Sequence, residues 1–212
     1  MDNKINMIDI FCVWVKPKYT HEDVVRLYLS CNKYIQIPFR FVCLTDQHWA
    51  REPIEMINIS EFELDTWWNK MLIFNPAFSK NDTCLYFDLD TKITSDITHI
   101  VDELDDDHLF VVDTPWKDDQ YFKQVGKYGR ESAFLEYGNT SVIGWKNHSH
   151  KYLLTKFGSD IYKHTSEHFG DDTFINRNGD IKYFKSVSID YDNADILINY
   201  APKQVVDILS GI

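Results

Sequence analysis

The chain has 212 residues, of which 44% are hydrophobic and 15% aromatic, and its formal net charge is −11. This length suits one domain with a substantial core, and the aromatic content excludes a largely disordered chain. The negative charge disfavours non-specific binding to nucleic acid or to an anionic membrane, because both require a basic surface.

The cysteines and the apolar runs indicate a compartment. The four cysteines form no CxxC pair, and Cys12, Cys43 and Cys84 lie in apolar segments, so we expect buried free thiols in a reducing environment. The amino-terminal residues do not resemble a signal peptide, and the apolar runs are far shorter than the ~20 residues that a transmembrane helix needs. These features predict a cytoplasmic protein with no membrane span.

The first part of the chain has the order strand, helix, strand, strand. Ile8 to Val15 is rich in β-branched and aromatic residues and predicts the first strand. Thr20 and Asp23 form a capping-box pattern at the start of a helix. Residues 39–45 predict a second strand, and the alternation in residues 54–59 predicts a third. This order is typical of an α/β domain.

A short aromatic helix is predicted next. It begins at Asp65 or Thr66 and carries Trp67, Trp68 and Lys70. Adjacent aromatic residues at a helix start more often supply one core and one rim residue than a platform for a sugar. The lysine could simply extend its ammonium group to solvent.

Two carboxylates follow a buried strand. Residues 84–87 form a continuous apolar run, which predicts a strand buried on both faces, as in a mostly parallel sheet. Asp88 and Asp90 come directly after it, at the carboxyl end where open α/β sheets bind ligands, and would project to the same side if the strand continued. Converging carboxylates repel unless a cation lies between them. We therefore predict a metal site for a phosphate-bearing substrate, although an isolated Asp-x-Asp more often only ends a strand.

The second half of the chain begins with a long polar and aromatic segment, residues 114–137, which predicts either a functional lid or disorder. We see no internal repeat and no linker, so residues 1–212 are interpreted as one domain. The remaining predicted elements are strands at 109–112, 141–145, 181–184 and 196–200, and helices around 152–157, ended by Gly158, and between Gly170 and Asn178.

Several short stretches occur in the order typical of one family. They are residues 11–15, residues 39–46, Trp67-Trp68-Asn69-Lys70-Met71, residues 85–90 with Asp96-Ile97, residues 139–142 and residues 170–176. Together they resemble the GT-A class of nucleotide-sugar-dependent glycosyltransferases, especially the small branch related to glycogenin and bacterial galactosyltransferases. The resemblance implies an α/β, Rossmann-like mixed sheet flanked by helices. It also implies metal-dependent transfer of a sugar from a nucleotide diphosphate, with uridine as the base, to a glycan or other hydroxyl acceptor.

The resemblance implies roles for individual residues. Asp88 and Asp90 match the pair that holds Mn²⁺ or Mg²⁺ on the nucleotide diphosphate, and Lys70 matches a basic residue that points at the nucleotide-sugar. Asp171 and Asp172 match an acidic pair near the reactive carbon of the sugar, with Asp172 the first candidate for the catalytic carboxylate. The implied donor-binding positions are Val13, Trp14 and Val15 beside the base and ribose, and Asn139 and Ser141 facing the donor sugar.

The sequence departs from the family near its end. The family often supplies a third metal ligand, a His, from a late strand followed by Gly and Lys. Here Asn199 stands at the position of the His, and the Gly is missing. Lys203 could still reach a phosphate. The third metal position is therefore left open between Asn199, a water molecule and no ligand.

Two other classes of protein stay open. An Asp-x-Asp after an apolar strand also occurs in haloacid-dehalogenase-type phosphatases, in which the first Asp is the nucleophile. That motif has Thr or Val at its fifth position, where this chain has Lys92, and the strand here lies in mid-chain. A non-catalytic carbohydrate-binding module would instead grip glycan with its aromatic side chains, and its carboxylates would be incidental.

Local alternatives concern the region before and at the second acidic pair. Asp171 and Asp172 could cap a helix, since acidic side chains complement the dipole at its start. His164 and His168 stand four residues apart and could be interpreted as a metal cluster, but we do not expect one from the sequence. The sequence leaves the oligomeric state open.

Overall fold

The computed structural model describes residues 7–114, 138–146, 148–168 and 170–199. The strands in chain order are β1 (Ile8–Trp14), β2 (Phe39–Thr45), β3 (Ile54–Asn58), β4 (Thr83–Phe87), β5 (Lys92–Ile93), β6 (Leu109–Asp113), β7 (Gly138–Lys146), β8 (Ile181–Tyr183), β9 (Ile189–Asp190) and β10 (Ile196–Leu197). Seven of them form one sheet in the order β3-β2-β1-β4-β7-β6-β8, and a small second sheet has the order β5-β10-β9.

Strand β4 lies at the centre of the large sheet. It pairs in parallel with β1, which is itself parallel to β2, and it pairs antiparallel with β7 on its other side. Both of its edges are therefore paired. Its buried side chains divide between the two faces, with Leu85 and Phe87 in one apolar cluster and Cys84 and Tyr86 in the other, which confirms the prediction from its continuous apolar run. Strands β2 and β3, and β6 and β8, also pair in parallel, so the sheet is mixed and mostly parallel.

In the described ranges, four α-helices and three 3₁₀ helices connect or flank the strands. The α-helices are α1 (His21–Tyr34), α2 (Lys151–Ser159), α3 (Ile161–Glu167) and α4 (Asp171–Asn178), and the 3₁₀ helices are Ser60–Phe62, Thr66–Phe74 and Thr98–Glu103. At the start of α1 the backbone N–H of Thr20 donates to the Asp23 carboxylate at 2.9 Å, as the capping-box pattern predicts.

The sheet separates two apolar layers. Along β1, Ile10 and Cys12 belong to the layer that includes α1, whereas Phe11 and Val13 belong to the layer that includes the 3₁₀ helix Thr66–Phe74 and α2. This alternation follows from strand geometry, because successive side chains point to opposite faces. It also decides which residues at the end of β1 can face a ligand.

Some predicted elements differ from the observed ones. The aromatic helix Thr66–Phe74 is a 3₁₀ helix, Gly158 lies inside α2, and the last predicted strand is reduced to Ile196–Leu197. Helix α3 was not predicted. Residues 115–137, the predicted long segment, lie outside the described residues.

The cysteines are buried, as their apolar sequence surroundings predict. All four cysteines are buried free thiols. Burial raises the pKa of the Cys31 and Cys84 thiols, which keeps them protonated and unreactive. Within the part of the chain that the structure describes, no helix is both long enough and apolar enough to cross a bilayer.

Candidate active site

A cleft of about 530 Å³ opens at the carboxyl ends of β1 and β4. The end of β1, the turn after β4, the 3₁₀ helix Thr66–Phe74, the start of β7 and the start of α4 all contribute to its walls. This is the edge of an open α/β sheet at which ligands bind. The predicted site residues that line the cleft are Val13, Val15, Lys70, Asp88, Asp90, Asn139, Ser141, Asp171, Asp172 and Asn199.

The first acidic pair projects from a turn. Strand β4 ends at Phe87, and the N–H of Thr91 donates to the carbonyl of Asp88 at 3.0 Å, which closes a turn around the pair. The N–H of Asp88 donates to the carbonyl of Ser141 at 2.8 Å and so fixes its backbone against β7. Both Asp88 and Asp90 line the cleft, although the strand ends before them.

Asp88 carries the electrostatic signature of a crowded anionic site. Burial raises the pKa of its carboxyl, Lys70 opposes that rise, and the charges of Asp90 and Asp171 add to it. The hydroxyl of Tyr86 donates to the same carboxylate. Negative charge is therefore concentrated at this point, and a cation there would relieve the repulsion.

Asp90 is held by two residues that follow β1. The Lys18 ammonium lies 3.0 Å from Oδ2 of Asp90, and the Tyr19 hydroxyl donates to the same oxygen at 2.8 Å. Burial and the charge of Asp90 raise the pKa of Tyr19, so the hydroxyl remains a donor. The Lys18 side chain is 69% exposed, and its ammonium also lies 4.6 Å from the centroid of the Tyr19 ring.

Lys70 joins the two acidic pairs. Its ammonium lies 2.7 Å from Oδ2 of Asp171 and 3.2 Å from Oδ1 of Asp88, and it donates to Oγ1 of Thr140 at 3.0 Å. Burial alone would lower its pKa, but Asp171, Asp88 and Asp172 outweigh burial and raise it. The side chain is only 7% exposed, so the alternative that Lys70 extends to solvent is wrong.

The second acidic pair occupies the first turn of α4. The N-cap position is Gly170, so neither aspartate is the N-cap residue of this helix. The N–H of Thr140 donates to Oδ1 of Asp172 at 2.9 Å, and the Thr140 hydroxyl lies within hydrogen-bond reach of both Asp171 and Asp172. Because a hydroxyl has one proton, it can donate to only one carboxylate at a time.

The two members of this pair differ in their surroundings. Asp171 is buried and bound to Lys70, whereas Asp172 is half-buried. Burial raises the pKa of Asp171, Lys70 opposes the rise and Asp172 adds to it. Asp172 is thus the more accessible carboxylate at this side of the cleft.

One predicted donor-binding residue lies away from the cleft, and another lies outside the described residues. Among the described residues that were assigned to the donor, Trp14 does not line the cleft. Its ring lies in the α1 layer, donates to the carbonyl of Tyr19 at 2.9 Å and packs edge-on against Trp49, because it alternates with Val13 and Val15 along the strand. Lys203 lies outside the described residues.

Asn199 lies on the cleft wall, at the position where the family would have a His. It is exposed, and its backbone is left-handed, with φ of 52°. Asn is among the non-glycine residues that most readily adopt this conformation. Its side-chain oxygen is a possible metal ligand of the same hard type as the two carboxylates.

Sequence reasoning overlooked Tyr86, Lys18, Tyr19 and Thr140 as site residues. Lys18 lies in the connection between the first strand and the first helix, where no sequence pattern gave it a role. Its proximity to Asp90 depends on β1 and β4 being neighbours in the sheet, and the strand order was not predicted.

The aromatic pair is divided between rim and core. Trp67 is 51% exposed and lines the cleft, whereas Trp68 is buried and stacks on Phe157 with 5.2 Å between ring centroids. The prediction of one core and one rim residue is confirmed. Gly170 lies against the Trp67 ring, since a Cβ there would be 3.3 Å from the indole nitrogen.

Comparison with known proteins supports the architecture. No family model matches the sequence, and no curated protein matches it. The galactosyltransferase LgtC, solved in complex with donor and acceptor sugar analogues, is similar in structure with a TM-score of 0.57 and 18% identity, over 82% of this chain and 72% of that one. An active-site mutant of LgtC has a TM-score of 0.58 and 17% identity over the same shares of the two chains.

A third solved structure extends the likeness to another glycosyltransferase. GlyE of Streptococcus pneumoniae TIGR4 has a TM-score of 0.54 and 15% identity, over 84% of this chain and 45% of that one. At these identities the likeness establishes the fold. The chain therefore has the GT-A, Rossmann-like α/β fold that bacterial galactosyltransferases of this type share.

Proposed function

We propose that the chain is a glycosyltransferase that moves a sugar from a nucleotide diphosphate, a UDP-sugar, to a hydroxyl acceptor with the help of Mn²⁺ or Mg²⁺. The observation that carries the proposal is the meeting of Asp88, Asp90, Lys70, Asp171 and Asp172 around one cleft, at the ligand-binding edge of a glycosyltransferase fold. The donor and acceptor analogues bound to LgtC support both partners.

The residues present fit a divalent cation. The cleft is lined by four carboxylates against three lysines, so a diphosphate could not be held there by the protein charge alone. Asp88, Asp90 and Asn199 offer oxygen donors, which Mg²⁺ and Mn²⁺ prefer. The Lys18 ammonium already lies 3.0 Å from Asp90, so this carboxylate attracts a positive charge. When bound, the cation would neutralise the phosphate oxygens and stabilise the charge that develops on the leaving diphosphate.

Residues on either side of the proposed cation position would hold the donor. In this proposal Val13 and Val15 border the base and ribose, and Asn139 and Ser141 face the sugar. Lys18 is free to move from Asp90 to a phosphate oxygen, since its side chain is exposed. All of these residues line the cleft.

The reaction breaks the bond between the anomeric carbon and the diphosphate oxygen, and the electron pair leaves with the diphosphate. The acceptor oxygen forms the new bond to the same carbon. In an inverting transfer Asp172 takes the acceptor proton; in a retaining transfer the departing diphosphate takes it, and the carboxylate stabilises or attacks the positively charged sugar. Asp172 is the proposed catalytic carboxylate because it is the accessible member of its pair.

Asp171 has a different role in this proposal. Its carboxylate is bound by Lys70 at 2.7 Å and is buried, so it orients Lys70 and the start of α4. Asp171 was the second candidate for the catalytic carboxylate, and it acts here as a positioning residue.

A thermal-shift panel tests the proposal. The protein is heated with UDP-glucose, UDP-galactose, UDP-N-acetylglucosamine or GDP-mannose, each with and without Mn²⁺. A ligand that binds only the folded state raises the melting temperature by mass action. We expect a rise with a UDP-sugar and Mn²⁺ together, its loss in Asp90→Asn, and its retention in the control Asp107→Asn, which changes an exposed carboxylate outside the cleft.

The panel, together with a glycan-binding assay and a phosphatase assay, separates the alternatives. The absence of a shift with every nucleotide-sugar would contradict the glycosyltransferase. Glycan binding without any effect of Mn²⁺ or nucleotide would favour a carbohydrate-binding module. Release of phosphate from a phosphomonoester, abolished in Asp88→Asn, would favour the phosphatase.

A further inference from the structure

A second cluster of metal-ligand side chains lies at the end of α3, outside the cleft. His164, Glu167 and His168 each offer one ligand atom, and these atoms all lie within 4.8 Å of one another. Their spacing of three and four residues puts them on one face of a helical turn. The pattern His-x-x-Glu-His was overlooked in the sequence, where the two histidines were considered with Asp171 and Asp172 but without Glu167.

The hydrogen bond of His168 prepares that ring to bind a metal. Its Nδ1 lies 2.9 Å from the backbone carbonyl of His164. A carbonyl oxygen can only accept, so Nδ1 carries a proton, and in the neutral ring Nε2 is the nitrogen with the lone pair. Histidines that bind metals commonly donate their other ring N–H to such a carbonyl, which fixes the tautomer.

The imidazole ring of His164 is buried, and its hydrogen bonding is incomplete among the described residues. His164 is 8% exposed and lies against Phe157 and Phe174, with 6.4 and 5.0 Å between ring centroids. Its Nδ1 is buried and has no hydrogen-bond partner among the described residues. A buried imidazole nitrogen without a partner is costly, and a polar or metal-binding role usually explains it. Glu167 is exposed and supplies the negative charge.

We propose that His164, Glu167 and His168 bind a Zn²⁺ ion or a similar transition-metal ion. Two imidazoles and one carboxylate are a known ligand set for zinc, with a fourth position left to water. The donor set is softer than the all-oxygen set of Asp88, Asp90 and Asn199, so the two sites select different metals. The proposal does not depend on the glycosyltransferase activity.

The location of this site gives it a structural consequence. His168 follows α3 directly, and α4 begins at Asp171. The rings of His164 and His168 both contact Phe174 of α4, at 5.0 and 5.3 Å between centroids. A metal ion there would fix the two imidazoles that pack against Phe174, on the helix whose first turn carries Asp171 and Asp172.

Zinc titration of the metal-free protein by isothermal calorimetry tests the site. The titration uses the Asp88→Asn/Asp90→Asn variant, so that the cleft pair cannot contribute. We expect one Zn²⁺ per chain, and a loss of affinity of about tenfold or more in His168→Ala and Glu167→Gln made in that background. The control His48→Ala changes an exposed histidine and should leave the affinity unchanged.

Cobalt supplies a second readout. Co²⁺ bound at this site should give the visible absorption of a four-coordinate ion, and the absorption should disappear in His168→Ala. Circular dichroism of each variant checks that it is folded. No zinc binding in the Asp88→Asn/Asp90→Asn variant, or unchanged zinc affinity in His168→Ala, would overturn the proposal.

Discussion

The ammonium nitrogen of Lys70 lies 2.7 Å from a carboxylate oxygen of Asp171, in a region where both side chains are more than nine-tenths buried. The contact joins the 3₁₀ helix Thr66–Phe74 to the first turn of α4. Since the same ammonium nitrogen lies 3.2 Å from Asp88, one lysine connects the two acidic pairs of the cleft. The site is therefore one electrostatic unit.

Removing the positive charge of Lys70 should destabilise the protein. Lys70→Met leaves the buried Asp171 and the half-buried Asp88 without their positive partner, so we expect a loss of about 3 kcal/mol in the free energy of unfolding. Lys156→Met, at an exposed position on α2, should cost less than about 0.5 kcal/mol. Urea unfolding at neutral pH measures both.

A double-mutant cycle tests whether Lys70 and Asp171 act together. The loss in Lys70→Met/Asp171→Asn should be smaller than the sum of the two single losses by about 1–3 kcal/mol, because the second change removes a carboxylate that the first left uncompensated. Urea unfolding of the four proteins gives the coupling energy. Strict additivity would show that the contact has no energetic importance.

Another prediction concerns how stability depends on pH through Asp9, which lies at the opposite end of β1 from the cleft. The carboxylate is fully buried and receives two bonds from Arg40 at 2.8 Å and others from the backbones of Lys80 and Asn81. Burial would raise its pKa, but these bonds lower it below the ordinary value of 3.8. The stabilisation is therefore fully present above about pH 4 and is lost as the pH falls through the lower pKa of the folded protein.

Asp9→Asn should accordingly cost about 3 kcal/mol at pH 7, and the difference from the parent protein should shrink below pH 4. The matched control is Glu55→Gln, because Glu55 pairs with the same Arg40 but is 36% exposed, so its loss should be about 1 kcal/mol or less. Chemical unfolding across the pH range measures both. A difference that stays constant down to pH 2 would contradict the charge-based explanation.

The exposed lysine at Asp90 should compete with a metal ion. If Lys18 occupies the carboxylate that the cation needs, Lys18→Ala removes a competitor, and the affinity for Mn²⁺ without nucleotide should rise by a few-fold. Lys16→Ala is the matched control, since Lys16 also lines the cleft but is not paired with Asp90 in the contacts described above. Calorimetric titration with Mn²⁺ measures the change, and a weaker affinity in Lys18→Ala would show that the two do not compete.

Substitutions of the two adjacent tryptophans should have different effects, one on stability and the other on sugar transfer. Trp68→Ala removes a buried ring stacked on Phe157 and should cost about 3–5 kcal/mol. Trp67→Ala, at the exposed rim of the cleft, should leave the stability within about 0.5 kcal/mol but reduce sugar transfer. Thermal unfolding and a UDP-release assay give the two readouts. Unchanged transfer in folded Trp67→Ala would remove Trp67 from the proposed site.

Much of the central architecture could be predicted from local sequence patterns. The apolar run before Asp88 identified the middle strand, and β2 was predicted over its observed range because its apolar residues and flanking breakers are unambiguous. Of the small sheet only β10 was predicted, within residues 196–200, because β5 and β9 have two residues each and are too short to show a periodicity.

The details of the site depended on contacts between distant segments. Trp14 was predicted to border the donor, but the alternation along β1 places it with α1 while Val13 and Val15 line the cleft. The contact between Lys18 and Asp90 requires the neighbouring order of β1 and β4, which no local pattern encodes. The depth of Lys70 likewise depends on the packing of α4 against the 3₁₀ helix.

The most direct test of the proposed metal-dependent donor site is a crystal of the protein grown with UDP and Mn²⁺, measured for the anomalous signal of manganese. The proposed function predicts a manganese peak that contacts both Asp88 and Asp90 and the oxygens of the diphosphate. Bound UDP with no manganese at these carboxylates, or a peak only at His164 and His168, would contradict it.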